Sequence, residues 1–423
     1  MIFDISCDSL INMQALKSSD KSVFELIKKE EKRQREDINL IPSENYVSKA
    51  VLEASGSVFT NKYSEGYPYK RYYAGNKWVD EVETLAIERA KKLFGVEFVN
   101  VQGYSGSPAN QAAYMVLAEP GDTIMGLSLT SGGHLTHGAA VNFSGKIFNS
   151  VSYEVDSKTE RLDFGEILKL AKKHKPKVIV CGFTAYPRIV EWKKFREIAD
   201  KAGAYLLADT SHITGLIIAG VHPSPNGFAD IWMTTTHKTL RGPRGAILMT
   251  NNPEIAKKID KTVFPGLQGG PHDHTTAAIA VALKEASTSS FKKYGQQIVK
   301  NAKVLAETLS YGGLRLVSGG TDNHLMLVDL GSDGPTGKEV QEALEQAGII
   351  LNKNTVPGET RKPFVTSGLR LGTPAVTTRG MKEPEMVKIG QFIVKVVGNL
   401  GSDKIYKEIK KEALTLTSKF PVP

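Results

Sequence analysis

The run Val178-Ile179-Val180-Cys181, the helix-period stretch Trp192 to Ala202, and the run Tyr205-Leu206-Leu207-Ala208 decide the architecture. An apolar strand, an amphipathic helix and a second apolar strand in succession make one βαβ unit. Working outward, helix-period stretches at Val82 to Phe94 and Phe164 to His174 precede it. Strand-like runs at Ile231 to Thr235 and Ala246 to Thr250 follow. This alternation predicts an α/β fold, with a large domain built on a mostly parallel sheet flanked by helices. A long helical stretch is expected from about Thr275 to Leu309. After Ser318-Gly319-Gly320 the pattern turns α+β, with a strand at Leu325 to Leu330 and a helix at Gly337 to Ala347. We therefore expect an N-terminal helical arm over 1–45, a large domain over 46–290 and a smaller C-terminal domain over 291–423. In the arm, Ser19 to Asp37 reads as a charged helix with Val23, Leu26 and Ile27 on its apolar side.

Ligands of such sheets bind at the carboxyl ends of strands. Two chemistry-bearing residues fall there. Asp209 closes the run Tyr205 to Ala208. Lys238 follows Ile231 to Thr235, in Thr234-Thr235-Thr236-His237-Lys238-Thr239-Leu240-Arg241-Gly242-Pro243-Arg244-Gly245. A lysine in a turn between Thr-rich and Gly-Pro segments is not on a solvated helix face. It is placed to form a Schiff base with an aldehyde cofactor, and pyridoxal phosphate is the obvious one. That cofactor needs an acid beside its pyridine nitrogen, and Asp209 supplies it. Burial and a nearby cation such as Arg244 are expected to lower the lysine pKa.

Other segments gain meaning beside this pair. Ser105-Gly106-Ser107 opens a helix-like run, and free N–H groups at a helix start bind phosphate. In Gly132-Gly133-His134-Leu135-Thr136-His137-Gly138, His134 suits stacking on a planar cofactor and His137 suits a structural role. A metal pair there lacks further ligands nearby. Arg370, on a short run bounded by Gly368 and Gly372, is costly to bury without an anion, and a substrate carboxylate fits its fork. A structural salt bridge is the alternative. The tyrosine-dense loop Asn61 to Asn76 reads as a binding surface.

Bulk properties narrow the class. The 423 residues are 41% hydrophobic and 23% charged, as in a globular chain. The net charge is +9, but the lysines mix with acids and no basic-aromatic stripe appears, so a nucleic-acid partner is not expected. No run approaches a membrane span, and Met1 to Asp8 lacks a leader-like pattern. Two cysteines, Cys7 and Cys181, make neither a disulfide framework nor a metal site. A cytoplasmic setting is expected.

Taken together these segments resemble the serine hydroxymethyltransferase family from about Asp37 to Arg379. The resemblance rests on Ser43-Glu44-Asn45-Tyr46, Tyr63 to Pro68, Arg71-Tyr72-Tyr73, Ser105 to Ser107, Gly132 to Gly138, Asp209 with His212, Thr235 to Gly245, Phe264 to Pro271 and Arg370 to Ala375. It implies a pyridoxal-phosphate enzyme of the aspartate-aminotransferase fold type, a homodimer with shared active sites. Such an enzyme interconverts serine and glycine, with tetrahydrofolate or a related pterin taking the one-carbon unit. It implies that Lys238 holds the cofactor, Asp209 faces its ring nitrogen, His134 stacks on it, and Thr184 and His212 lie near its hydroxyl. Ser105, Gly106, Ser107 and His237 would bind its phosphate, with Tyr63 and Gly270 reaching across from the other subunit. Ser43 and Arg370 would bind the amino-acid carboxylate, and Glu65 would handle the proton with Tyr73 beside it. Glu65, Tyr72, Leu129, Gly133, Leu135 and Asn354 fall where the family contacts its pterin. The chain departs from the common pattern at Gly103-Tyr104, Ser131, Thr210-Ser211 and Met125, which removes no catalytic group. A pterin-independent aldolase acting on threonine-like amino acids is the rival reading.

Overall fold

The computed structural model describes residues 13–423. The stretch read for a leader, with Cys7, lies outside the described residues. Seven strands form the central sheet, in the spatial order 98–103, 246–250, 231–235, 205–209, 178–181, 123–127 and 149–153. All neighbours run parallel except strand 246–250, which is antiparallel to both of its partners.

The apolar runs divide by strand periodicity, because successive side chains point to opposite faces. Ile179, Cys181, Leu206 and Ala208 join one core with Trp192, Phe195 and Leu216. Val178, Val180 and Leu207 join the other, with Tyr114 and Leu248. Both faces are covered, so these strands are continuously apolar rather than alternating.

A second body carries a four-stranded antiparallel sheet in the order 315–316, 325–329, 368–372 and 352–354. Its core includes Leu305, Val328, Leu344, Leu369 and Ile393. Ile38 and Leu40, far upstream, are buried in that same core. Ile38-Asn39 pairs in parallel with Ile349-Ile350.

Three expectations are corrected. The stretch Thr275 to Leu309 is two helices, Asp273–Ala286 and Ser289–Tyr311. Thr288 takes an extended backbone between them, and its hydroxyl accepts from the Phe291 amide, so it starts a new helix. The helix Lys21–Glu36 forms, with Asp20 as its N-cap, but its apolar side is packed only in part: Ile27 is half-buried, whereas Val23 is 42% and Leu26 62% exposed. The loop Asn61 to Asn76 contains a short hairpin, Gly66-Tyr67 with Lys70-Arg71.

Candidate active site

Asp209 is the last residue of strand 205–209, and Lys238 lies three residues beyond strand 231–235. The two strands are parallel neighbours, so both residues reach one edge of the sheet. They line one cavity with Ser105, Gly106, Ser107, Asn110, His134, His137, Thr184, His212, His237 and Arg244.

Asp209 is buried and fully engaged. One carboxylate oxygen accepts from Asn110 at 2.9 Å and faces His137 Nε2 at 3.2 Å. The other accepts from the Ser211 amide at 3.1 Å and its hydroxyl at 2.6 Å. Burial would raise the carboxyl pKa, but the contacts with His137 and Ser211 outweigh it and hold it well below the usual range. An ionised carboxylate therefore stands at the sheet edge.

The Lys238 amine donates to Thr235 Oγ1 at 3.0 Å. Burial pushes its pKa down to about 8, against the opposing pull of Asp209, with Arg370 and Arg244 adding to the fall. The Lys238 carbonyl accepts from Asn45 Nδ2 at 3.0 Å, which ties its turn to the 43–46 segment. Burial likewise lowers His134 to about 4 and His237 to about 3, so both rings are neutral.

Between them lies an anion cradle. Helix Gly106–Leu117 starts at Ser105, whose side chain makes no capping bond, and the amides of Gly106 and Ser107, both in the cavity wall, have no acceptor among the described residues. A Cβ on Gly106 would lie 2.8 Å from Thr235 Cγ2, so only glycine lets the helix start approach the lysine strand this closely. Arg244 stands at the cavity wall, and His237 Nδ1 is buried without a partner among the described residues. A phosphorylated aldehyde with a basic ring nitrogen fits this donor set: cradle for the phosphate, amine for the aldehyde, carboxylate for the nitrogen.

Arg370, on strand 368–372, is 8% exposed. It donates to Asn352 Oδ1 at 3.1 Å and to the Thr184 carbonyl at 2.9 Å, both neutral. Burial alone lowers its pKa, to about 10, with no carboxylate opposing it. The salt-bridge alternative is thus excluded among the described residues. Thr184 lines the Lys238 cavity, so the guanidinium is bonded to a residue of the cavity wall without itself forming part of that wall.

Ser43 sits in an adjoining cavity that shares His237 and Arg244 with the first. Leu129 and Leu135 are half-exposed on the loop that carries Gly133 and His134, and Thr355, next to Asn354, donates to the Leu129 carbonyl at 3.4 Å. A Cβ on Gly133 would fall 1.9 Å from the Leu127 carbonyl oxygen, so this turn admits only glycine.

Tyr63, Glu65, Tyr72, Tyr73 and Gly270 are not in the wall of the Lys238 cavity. They form a separate cluster. Tyr63 and Tyr73 meet edge to face at 5.1 Å, as do Tyr72 and Tyr73 at 5.2 Å. The Tyr63 ring covers Gly270 and Glu65 Oε1 lies against Gly269. Tyr63 is 54% and Tyr72 81% exposed. Tyr104 stacks on His272 and donates to the Gly270 carbonyl at 2.7 Å.

The family model for serine hydroxymethyltransferase matches residues 16–393. The chain belongs to the serine hydroxymethyltransferase family. Among its relatives, the serine hydroxymethyltransferase of Desulfotalea psychrophila (strain LSv54 / DSM 12343) is 57% identical over 411 residues, covering 97% of this chain and 96% of the relative. That of Methanosarcina barkeri (strain Fusaro / DSM 804) is 57% identical over 410 residues, covering 97% and 100%. Members use pyridoxal phosphate with tetrahydrofolate as co-substrate. Sequence reasoning gave no role to Asn110 or Asn45 and passed over His324. All three are buried or half-buried polar side chains that reach a partner in the site from far along the chain, 99 residues away for Asn110, 193 for Asn45 and 112 for His324. Of the three, Asn45 lies within the motif Ser43-Glu44-Asn45-Tyr46, and Asn110 three residues past Ser105-Gly106-Ser107. Among the described residues, no helix is long and apolar enough to cross a membrane, and no cluster of His, Cys, Asp or Glu forms a metal site.

Proposed function

We propose that Lys238 holds pyridoxal phosphate, and that the cavity around it is half of an active site completed by a second copy. The enzyme interconverts serine and glycine and transfers the one-carbon unit to or from tetrahydrofolate. Bound pyridoxal phosphate supplies an electron sink for the pair left when a bond at the amino-acid Cα breaks. The chain's own residues do the rest. Asp209 stays ionised, so it keeps a proton on the ring nitrogen. The helix start at Ser105 to Ser107, with His237 and Arg244, fixes the phosphate. His134 would lie against its ring, and Thr184 and His212 would lie near its hydroxyl. Arg370 and Ser43 hold the substrate carboxylate, and this orients the Cα bonds. Glu65 moves the proton, with Tyr73 beside it. Leu129, Gly133, Leu135 and Asn354, with Tyr72 and Glu65, receive the pterin.

The observation that carries this reading is the buried amine of Lys238, with its pKa near 8, on the same sheet edge as the ionised Asp209. Support for a shared site is that the exposed Tyr63, Tyr72 and Tyr73, with the half-buried Glu65, form a cluster outside the wall of the Lys238 cavity. A cytoplasmic location accords with the free, buried Cys181.

The test is the visible spectrum of the purified protein with pyridoxal phosphate, then glycine, then tetrahydrofolate. We expect a cofactor band that Lys238→Ala loses or displaces, and a long-wavelength band that grows when the pterin joins glycine. In the same variant serine cleavage should fall roughly 10³-fold or more. A variant that keeps most of its rate refutes the lysine assignment. Serine cleavage indifferent to tetrahydrofolate would favour the pterin-independent aldolase.

A further inference from the structure

His324 has no part in the reading above, yet it meets a residue that does. It sits fully buried just before strand 325–329, and its Nε2 lies 3.3 Å from Nδ1 of His212. The ring centroids are 5.5 Å apart and the planes are inclined by 31°, so the two nitrogens face each other edge to edge. The backbone around His324 is pinned. Asn323 Nδ2 donates to the Tyr186 carbonyl at 3.1 Å, Asn323 Oδ1 accepts from the Leu325 amide at 3.0 Å, and the His324 carbonyl accepts from the Thr373 amide at 3.1 Å.

Both rings are neutral. Burial lowers His324 to about 3, with Arg370, His222 and Lys238 adding to it. Burial also lowers His212 well below the ordinary imidazole range, with Lys238, Arg370, His324 and His134 adding to it. Two neutral imidazoles edge to edge share one proton, and which ring owns it is decided at their far nitrogens. Nδ1 of His324 is buried and has no partner among the described residues. A buried N–H without an acceptor is rarer and costlier than a bare acceptor nitrogen. The His324 proton therefore belongs on Nε2, where it has an acceptor. His212 must then accept at Nδ1, and its own proton sits on Nε2. His212 lines the Lys238 cavity, and its Nε2 takes no hydrogen bond from the described residues.

We propose that His324 is a positioning residue that fixes the His212 tautomer, so that His212 meets the bound ligand as an N–H donor to a negatively charged oxygen. The inference rests on the reading that His212 contacts cofactor or substrate. It adds a group outside the cavity wall that decides what His212 can do there. A His212 with the opposite tautomer would present a lone pair and repel the same oxygen.

The experiment is nitrogen-15 NMR of histidine-labelled enzyme, with and without pyridoxal phosphate, with His212 assigned by its loss in His212→Asn. We expect Nε2 protonated and Nδ1 bare in both states. The reverse tautomer overturns the proposal, and this measurement needs no variant of His324 to fold. His324→Phe keeps a flat ring but deletes the donor. It should lower kcat/KM for serine by about tenfold or more, the worth of one hydrogen bond to a charged acceptor, and shift the cofactor's visible absorption. His324→Gln retains an N–H and should recover most of both. Equal damage from Phe and Gln, with the tautomer unchanged, also overturns it. His212→Asn with unaltered spectrum and kinetics would instead refute the reading of His212 itself.

Discussion

At the residue scale, Lys238 and Arg370 are both cations held in surroundings that disfavour charge. A lysine at its ordinary pKa has roughly one amine in three thousand unprotonated at pH 7, whereas at about 8 roughly one in ten is free. Raising the pH frees the amine, so capture of pyridoxal phosphate by the apoenzyme should quicken up to about pH 8 and then level. A stopped-flow profile still climbing through pH 10 would contradict the burial argument. Arg370→Ala should raise the serine KM by about a hundredfold, since a buried charge-paired contact is lost. An unchanged KM in steady-state assays would reject the carboxylate role. The lysine, the aspartate and the arginine were all legible because each ends or interrupts an apolar run. His137 was read only as structural, without its partner Asp209, and Asn110, which also holds that carboxylate, was not legible: a buried polar residue announces itself only through its partners.

At the scale of elements, the junction of helix 106–117 with strand 231–235 decides the phosphate cradle. Gly106→Ala would put a methyl 2.8 Å from the Thr235 methyl and push the helix start away from Lys238. We expect the cofactor Kd to rise about tenfold with little change in Tm. Thr235→Ser removes that methyl and keeps the hydroxyl bonded to Lys238, so the double variant should regain affinity in a fluorescence titration. If the double variant binds no better, the packing argument fails. Strands buried on both faces, such as 178–181 and 205–209, were readable as apolar runs. Strand 98–103 was not, because Asn100 and Gln102 point into polar contacts with Tyr67, Asp260, Glu83 and the Gly66 carbonyl. Strand 149–153, with its largely exposed face, gave no apolar signal either. The long helical stretch was misread because a Ser/Thr cluster at 287–290 permits a fresh cap as readily as a continuing helix.

At the scale of the molecule, one chain presents two groups of residues that the proposed chemistry needs in one place. Mixing Lys238→Ala with Glu65→Gln protein, after subunit exchange, should restore activity, because a hybrid pair carries one intact combination. Recovery approaching a quarter of the native rate is the expected ceiling if two copies exchange at random and each site acts alone. No recovery, with exchange verified by native mass spectrometry, would place Lys238 and Glu65 function within a single chain. The α/β class was readable from alternation alone. A homodimer came only from the family resemblance, since exposed tyrosines on a loop say that something binds without saying what.

The guanidinium at position 370 also predicts what the enzyme will refuse. Among the described residues its hydrogen-bond partners are a side-chain amide and a peptide carbonyl. A ligand that brings an anion neutralises a buried charge, while one that brings an amide or an alcohol leaves it bare. Glycinamide and serinol should therefore be rejected more steeply than the loss of a single contact accounts for, and the α-acid group, rather than the side chain, becomes the principal passport into this pocket.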